Sequence, residues 1–214
     1  MNKYILMFLA LLCTTQAVAF PQAGKAVPEA GNGYSLLTPA QPTHSGKKIE
    51  VLEFFFYGCS HCFKLHPLLK AWEKKMPKDV MLTKVPATFD PAWEPMTYTF
   101  YALQKLGKQQ QMEDALYNVW NASNIQQMDE TLTTDFVAQH GVDRAAFNAA
   151  YNAPDIKAQV ANSKKMMQDY NIRGTPSLIV DGKYLISGLQ SEDTIRILNA
   201  VIAKARKERA AKKR

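Results

Sequence analysis

Hydrophobic residues follow two rhythms along this chain, and the changes between them mark its parts. Ile49 to Phe56 is an apolar, β-favouring run with the length of a buried strand, and Val80 to Val85 reads as a second. Phe63 to Met76 between them reads as a helix, so the three form a βαβ unit whose strands pair in parallel. Pro86 to Pro95 breaks the pattern. Helical stretches follow at Met96 to Leu106, Met112 to Asn121, Thr131 to His140 and Asp143 to Asn152, with Gly107 and Gly141 as C-terminal stops and no strand between them. Pro154-Asp155 opens another helix that reaches about Tyr170. Ser177 to Val180 and Tyr184 to Ser187 then flank Asp181-Gly182-Lys183, a hairpin signal, and Ser191 caps a final helix. Ahead of all this, Phe20 to Lys48 is rich in Gly, Pro and small residues, with one short strand expected at Tyr34 to Leu37.

The first residues obey neither rhythm. Lys3, an apolar core from Tyr4 to Cys13 and the small-residue site Ala17-Val18-Ala19 have the organisation of a secretory signal peptide cleaved near Ala19. The core falls short of the roughly 18 residues that cross a bilayer, and Leu12 before Cys13 does not suit a lipid-modified cysteine. The expected divisions are a signal segment 1–19, an extended segment 20–48, two portions of one α/β domain at 49–89 and 166–214, and an inserted helical domain 90–165. Loss of Cys13 with the leader leaves Cys59 and Cys62 alone, an expectation of one pair and no structural disulfide in an oxidising compartment. The excess of 26 Lys and Arg over 19 Asp and Glu is concentrated between Lys204 and Arg214. Cations there complement the negative end of the last helix, whose first turn carries Glu192 and Asp193. Without interleaved aromatics, and with an export signal, no nucleic-acid partner is expected.

The chemistry lies in Cys59-Ser60-His61-Cys62. Two thiols at this spacing close a small disulfide, and the run from strand to helix sets Cys59 at a helix N-terminus, where unpaired N–H groups and the macrodipole favour its thiolate. His61 adds an imidazole that can donate to the sulfur or carry positive charge. Cys62, one turn further in, suits a resolving thiol. A pKa depressed by about three units would favour the reduced form by about 4 kcal/mol, or about 90 mV for a two-electron couple. The same spacing could serve a metal, with His66 on the face of Cys59 and Cys62 as a third ligand. Haem attachment is excluded by Phe63, which stands where a histidine would be required. Glu53 interrupts the first strand and Lys84 lies on its neighbour. The two form an ion pair or face solvent at the sheet's end, or else they accept the Cys62 proton. Before the hairpin stands Gly174-Thr175-Pro176. Alone, Pro176 would read as a plain turn proline, but beside a CxxC strand-helix unit it reads as a cis peptide that ends the ladder and leaves the Thr175 backbone groups to pair with an extended chain. Phe54, Phe55, Phe56 and Tyr57 read as core and rim, and Met166 and Met167 as helix packing.

In this order, Val51-Leu52-Glu53-Phe54-Phe55, the Cys-x-His-Cys motif, Thr83-Lys84, the helical block and Gly-Thr-Pro before a hairpin resemble the DsbA family of periplasmic thiol:disulfide interchange proteins, over essentially the whole mature length. The resemblance implies a thioredoxin fold with an inserted all-helical domain and no cofactor beyond the Cys59-Cys62 disulfide. It further implies oxidation of unfolded exported proteins with free thiols, and reoxidation by a DsbB-type quinone-linked membrane partner. A monomer is expected. The expected catalytic residues are Cys59, Cys62 and His61, with Ser60, Glu53 and Lys84 tuning the thiolate or moving a proton, and Thr175 and Pro176 binding substrate. Ser60 stands where the best-studied members have proline, Thr175 where they have valine, and His66 where some are acidic, departures that bear on redox potential and substrate preference. An isomerase or reductase remains the second reading, and a metallochaperone using Cys59, Cys62 and His66 the third.

Overall fold

Seven consecutive buried residues, Ile49–Phe55, form the strand β2 around which the sheet is built. The computed structural model describes residues 31–122 and 129–211. The expected leader and its cleavage site lie outside them. β2 pairs in parallel with β3 (Val80–Pro86) and antiparallel with β4 (Ser177–Val180). β4 continues by a hairpin into β5 (Tyr184–Ser187), which carries the short β1 (Ser35–Leu36) at the edge, so the sheet order is β1-β5-β4-β2-β3. The hairpin turns at Asp181 and Gly182, both at positive φ (55° and 66°), the conformation a tight hairpin between right-twisted strands demands. A Cβ on Gly182 would lie 2.1 Å from the Gln41 carbonyl oxygen, so glycine is required on packing grounds as well.

A strand buried on both faces serves two cores. On one face Ile49 and Val51 pack against Leu65 and Leu69 of α1 (Ser60–Glu73) and against Leu198, Val201 and Ile202 of α7 (Ser191–Ala211). On the other, Leu52 and Phe54 meet Ile179, Met167 and Tyr170. The basic end of α7 is tied down by ion pairs, Arg206 to Asp79 at 2.7 Å and Arg209 to the buried Asp181. Two of the clustered cations therefore have a structural use, as a clasp between the last helix and the sheet ends.

Between β3 and β4 the described residues form a 3-10 turn at Pro91–Trp93 and five helices: α2 (Glu94–Lys105), α3 (Gln109–Ala122), α4 (Glu130–Gln139), α5 (Arg144–Tyr151) and α6 (Pro154–Asp169). Asp129 and Asp143 cap α4 and α5 by accepting from Leu132 N and Ala146 N, and Gly107 and Gly141 take positive φ at helix ends as their placement predicts. Phe100, Leu103, Leu116, Tyr117, Phe147 and Val160 fill the third core, and Phe55, Phe56, Tyr57 and Cys62 belong to it too. The helical block thus packs directly on the end of β2 and the start of α1. α6 shares two cores, giving Ile156 and Val160 to the block and Met167 to the sheet. The sequence boundary at residue 165 falls inside this one helix.

Candidate active site

Where β2 ends, the chain makes one turn before α1 begins, and that turn carries the first thiol. Cys59 is the N-cap, its N–H donating to the Phe56 carbonyl oxygen at 3.0 Å and its own carbonyl oxygen accepting from Phe63 N at 2.9 Å. The helix starts at Ser60, three residues earlier than the apolar periodicity places it, because Ser60, His61 and Cys62 join the first turn without adding to an apolar stripe. The turn is gripped from the helical block. Phe56 stacks on Trp93 with centroids 4.1 Å apart and planes 9° from parallel, and Asn121 Nδ2 donates to the Tyr57 carbonyl oxygen at 2.8 Å. A Cβ on Gly58 would come within 2.6 Å of the Phe56 ring and 3.2 Å of Trp120, so the residue before Cys59 must be glycine for the chain to pass between those rings.

The two sulfurs are unbonded here and differ sharply in surroundings. Cys59 is half-buried, and its thiol is held down from 9.0 to about 5. The largest cause is the Cys62 thiol, which donates toward the Cys59 sulfur. Partial burial opposes it, and the Thr175 side chain and the backbone N–H groups of Cys62 and His61 assist. These are the donors a helix N-terminus supplies to an anion. The 3.3 Å contact of the Cys59 sulfur with the Thr175 carbonyl oxygen works the other way, since a carbonyl can only accept and so favours the protonated thiol. Cys62, fully buried at 0% exposure, has its thiol pushed far up, chiefly by desolvation and then by the hydrogen bond it donates to Cys59. His61 reaches the sulfur through its backbone, and its exposed side chain stands with Thr175 and Pro176 at the rim of an adjoining cleft of about 530 Å³. Thr175-Pro176 is cis and immediately precedes β4, bringing residues 116 positions away in sequence against Cys59. Ser60 is exposed beside the first thiol.

Beneath Cys62 lies a second polar group. Parallel pairing of β2 with β3 sets Glu53 opposite Lys84 in register, and Lys84 Nζ stands 4.0 Å from Glu53 Oε2. The Glu53 carboxyl is pushed from 4.5 up to about 7, by burial first, with Lys84 opposing and Glu113 and Glu73 adding to it. Burial pulls Lys84 down, but the facing carboxylates of Glu53 and Glu113 outweigh it and leave Lys84 above its ordinary value. Glu113 is the residue the sequence does not reveal. It comes from α3 in the helical block and forms a direct ion pair with Lys84.

His66, offered by the sequence as a third metal ligand, is taken by Asp114, which its Nε2 meets at 2.6 Å, while its ring stacks on Tyr117. Among the described residues, no group of three or more His, Cys, Asp or Glu is placed to hold a metal ion. Met167 packs in the sheet core and accepts from Thr88 N through its sulfur at 3.1 Å.

The model of the DSBA-like thioredoxin domain matches residues 50–198. The thiol:disulfide interchange protein DsbA of Burkholderia cepacia is 34% identical over 175 residues, which make up 81% of this chain and 82% of that protein. Among solved structures, Pseudomonas aeruginosa DsbA superposes with a TM-score of 0.81 at 32% identity, covering 87% of this chain and 97% of the other. The oxidoreductase DsbA of Xylella fastidiosa gives 0.79 at 29% identity, covering 85% and 99%.

Proposed function

This chain belongs to the DsbA-like thioredoxin family of thiol:disulfide oxidoreductases, and from that footing we propose that it is a periplasmic oxidase that gives its Cys59-Cys62 disulfide to newly exported proteins. The observation that carries the reading is the opposition between the two thiols, one acidified at a helix start and the other made less acidic in an apolar core. A dithiol that holds one stable thiolate is favoured over its disulfide, so the disulfide is a strong oxidant.

In the forward direction the thiolate of an unfolded substrate attacks the Cys59 sulfur. The Cys59–Cys62 bond breaks, its electron pair leaves on Cys62, and Cys62 takes a proton from Glu53, whose raised pKa leaves it protonated part of the time near neutrality. The substrate's second thiolate then attacks its own sulfur in the mixed disulfide and expels Cys59, a good leaving group because its anion is stabilised. The substrate leaves oxidised and the enzyme reduced. Thr175 and Pro176 border the cleft beside Cys59, where an extended substrate chain pairs with the Thr175 backbone. Reoxidation reverses the sulfur chemistry, with a quinone-linked membrane protein of the DsbB type as the electron acceptor. Among the described residues no helix is long and apolar enough to cross a membrane.

Equilibration with reduced and oxidised glutathione tests the assignment. The expected result is a reduction potential at least as oxidising as about −180 mV, the level of a disulfide isomerase, and a value near thioredoxin's of about −270 mV would assign the protein to reduction instead.

A further inference from the structure

Three ionisable side chains meet in the buried layer below Cys62: Glu53 from β2, Lys84 from β3 and Glu113 from α3. Their side chains are 2%, 12% and 5% exposed. Two carboxylates and one ammonium in a largely buried site leave one negative charge uncompensated, and the least costly answer is to keep a proton on one carboxyl. Geometry decides which. Lys84 Nζ bonds Glu113 Oε1 directly but stands 4.0 Å from Glu53 Oε2, and that Glu53 oxygen has no hydrogen-bond partner among the described residues. Tyr57 Oη and Gln109 Nε2 lie near one another in the same layer without reaching hydrogen-bond geometry. A cleft of about 220 Å³ is lined by Glu73, Lys84, Gln104, Gln109 and Glu113 of this layer.

We propose that Glu113 is a positioning residue for the proton of Cys62: by engaging Lys84 it withholds the ammonium from Glu53 and leaves the Glu53 carboxyl free to hold and release a proton. The proposal rests on the reading of Glu53 as the Cys62 proton carrier and adds what sets its proton affinity. The other charged or titratable groups facing Glu53 are Glu73 from α1, Tyr57 from the turn after β2, Tyr117 from α3 and Cys62 itself. On this account the helical block supplies part of the proton chemistry of a site whose sulfurs belong to the thioredoxin portion.

The step that reports on this is resolution of a mixed disulfide with glutathione, formed when the Cys59 thiolate attacks oxidised glutathione and releases one reduced glutathione. Cys62 then loses its proton to Glu53 and attacks the Cys59 sulfur. The bond from Cys59 to glutathione breaks, and a second glutathione departs as thiolate. The rate of that release, followed by stopped flow against pH in the full chain, rises as Glu53 loses its proton. Glu113→Gln turns Lys84 toward Glu53, and the midpoint falls by about one pH unit. Lys84→Met removes the cation and moves the midpoint upward. The Cys59 alkylation midpoint, measured in the same variants, stays where it was and certifies an intact site. If Glu53→Gln abolishes the pH-dependent limb but Glu113→Gln leaves the midpoint unmoved, Glu113 has only a packing role and the proposal is wrong. A limb that survives Glu53→Gln removes Glu53 as the proton carrier, and the proposal falls with it. A common shift of both midpoints in Glu113→Gln would mean general disturbance of the site, and overturns it too.

Discussion

Cys59 and Cys62 are three residues apart on one helix turn, yet the regions around them solve opposite problems. At the mouth, a half-buried sulfur accepts first from the Cys62 thiol and then from the Thr175 side chain and the backbone N–H groups of Cys62 and His61, neutral donors that favour its anion. In the interior, a fully buried sulfur lies above three ionisable side chains whose charges do not cancel. The difference shows what each sulfur must do. On the proposed cycle one is an anion whenever it is reduced, which neighbouring hydrogen-bond donors favour without taking up its proton. The other must gain and lose a proton in each cycle, which calls for a group able to exchange one.

The widest separation of the two regions comes from removing each sulfur. Cys59→Ser should lower disulfide transfer by about 10⁴-fold or more, because the nucleophile and its mixed disulfide are both gone. Cys62→Ser should still be attacked when Cys59 carries glutathione, but should accumulate mixed disulfides that mass spectrometry detects as intact adducts. Equal behaviour of the two variants would erase the distinction.

The mouth is next tested by pH. Alkylation of reduced protein by iodoacetamide should plateau above about 5 and fall about tenfold per pH unit below it, with Cys62 unmodified while the fold is intact. A folded-state pKa below the unfolded value binds the proton less tightly in the native state. The stability this gives the reduced protein is fully present above 9.0 and is lost as pH falls toward about 5. A midpoint close to 9.0 would remove the thermodynamic basis of the oxidase assignment.

The interior carries the opposite sign. Glu53 binds its proton more tightly when folded, so between 4.5 and about 7 the native state holds more protons than the unfolded chain, and stability falls as pH rises. Glu53→Gln removes that dependence. Its stability relative to the parent should increase across the window by up to about 3 kcal/mol, read from urea unfolding on either side of it. A difference that does not vary with pH would show that Glu53 stays ionised throughout. The smallest effect is expected at Thr175→Val, which deletes one side-chain hydrogen bond to the Cys59 sulfur. The alkylation midpoint should rise by about one pH unit or less, and the potential should become more reducing by about 30 mV or less.

The mouth was legible in the sequence and much of the interior was not. A β-rich run, a pair of thiols three apart and Gly-Thr-Pro before a hairpin are local patterns, and each fixes backbone geometry within a few residues. Even Glu53 facing Lys84 could be read, because parallel neighbours of similar length admit few registers. Glu113 could not, because it lies in the Gln-rich start of α3 with nothing in its spacing to mark it apart from a solvated position. Trp93, Trp120 and Asn121 were hidden for the same reason. They reach the redox turn through the packing of the helical block, which no pattern within the block encodes. His66 shows the converse: its spacing after Cys62 left a metal-ligand alternative open, while the structure pairs it with Asp114 on another helix.

One further consequence follows from the apolar cluster that Cys62 shares with Phe100, Tyr117, Phe147 and Val160. An engineer trimming this chain to a bare thioredoxin frame would strip the roof from its inner sulfur. Bulk water would then reach both thiols alike, their acidities would converge, and the shortened molecule would behave as an everyday dithiol. The excursion between β3 and β4 is therefore part of the battery.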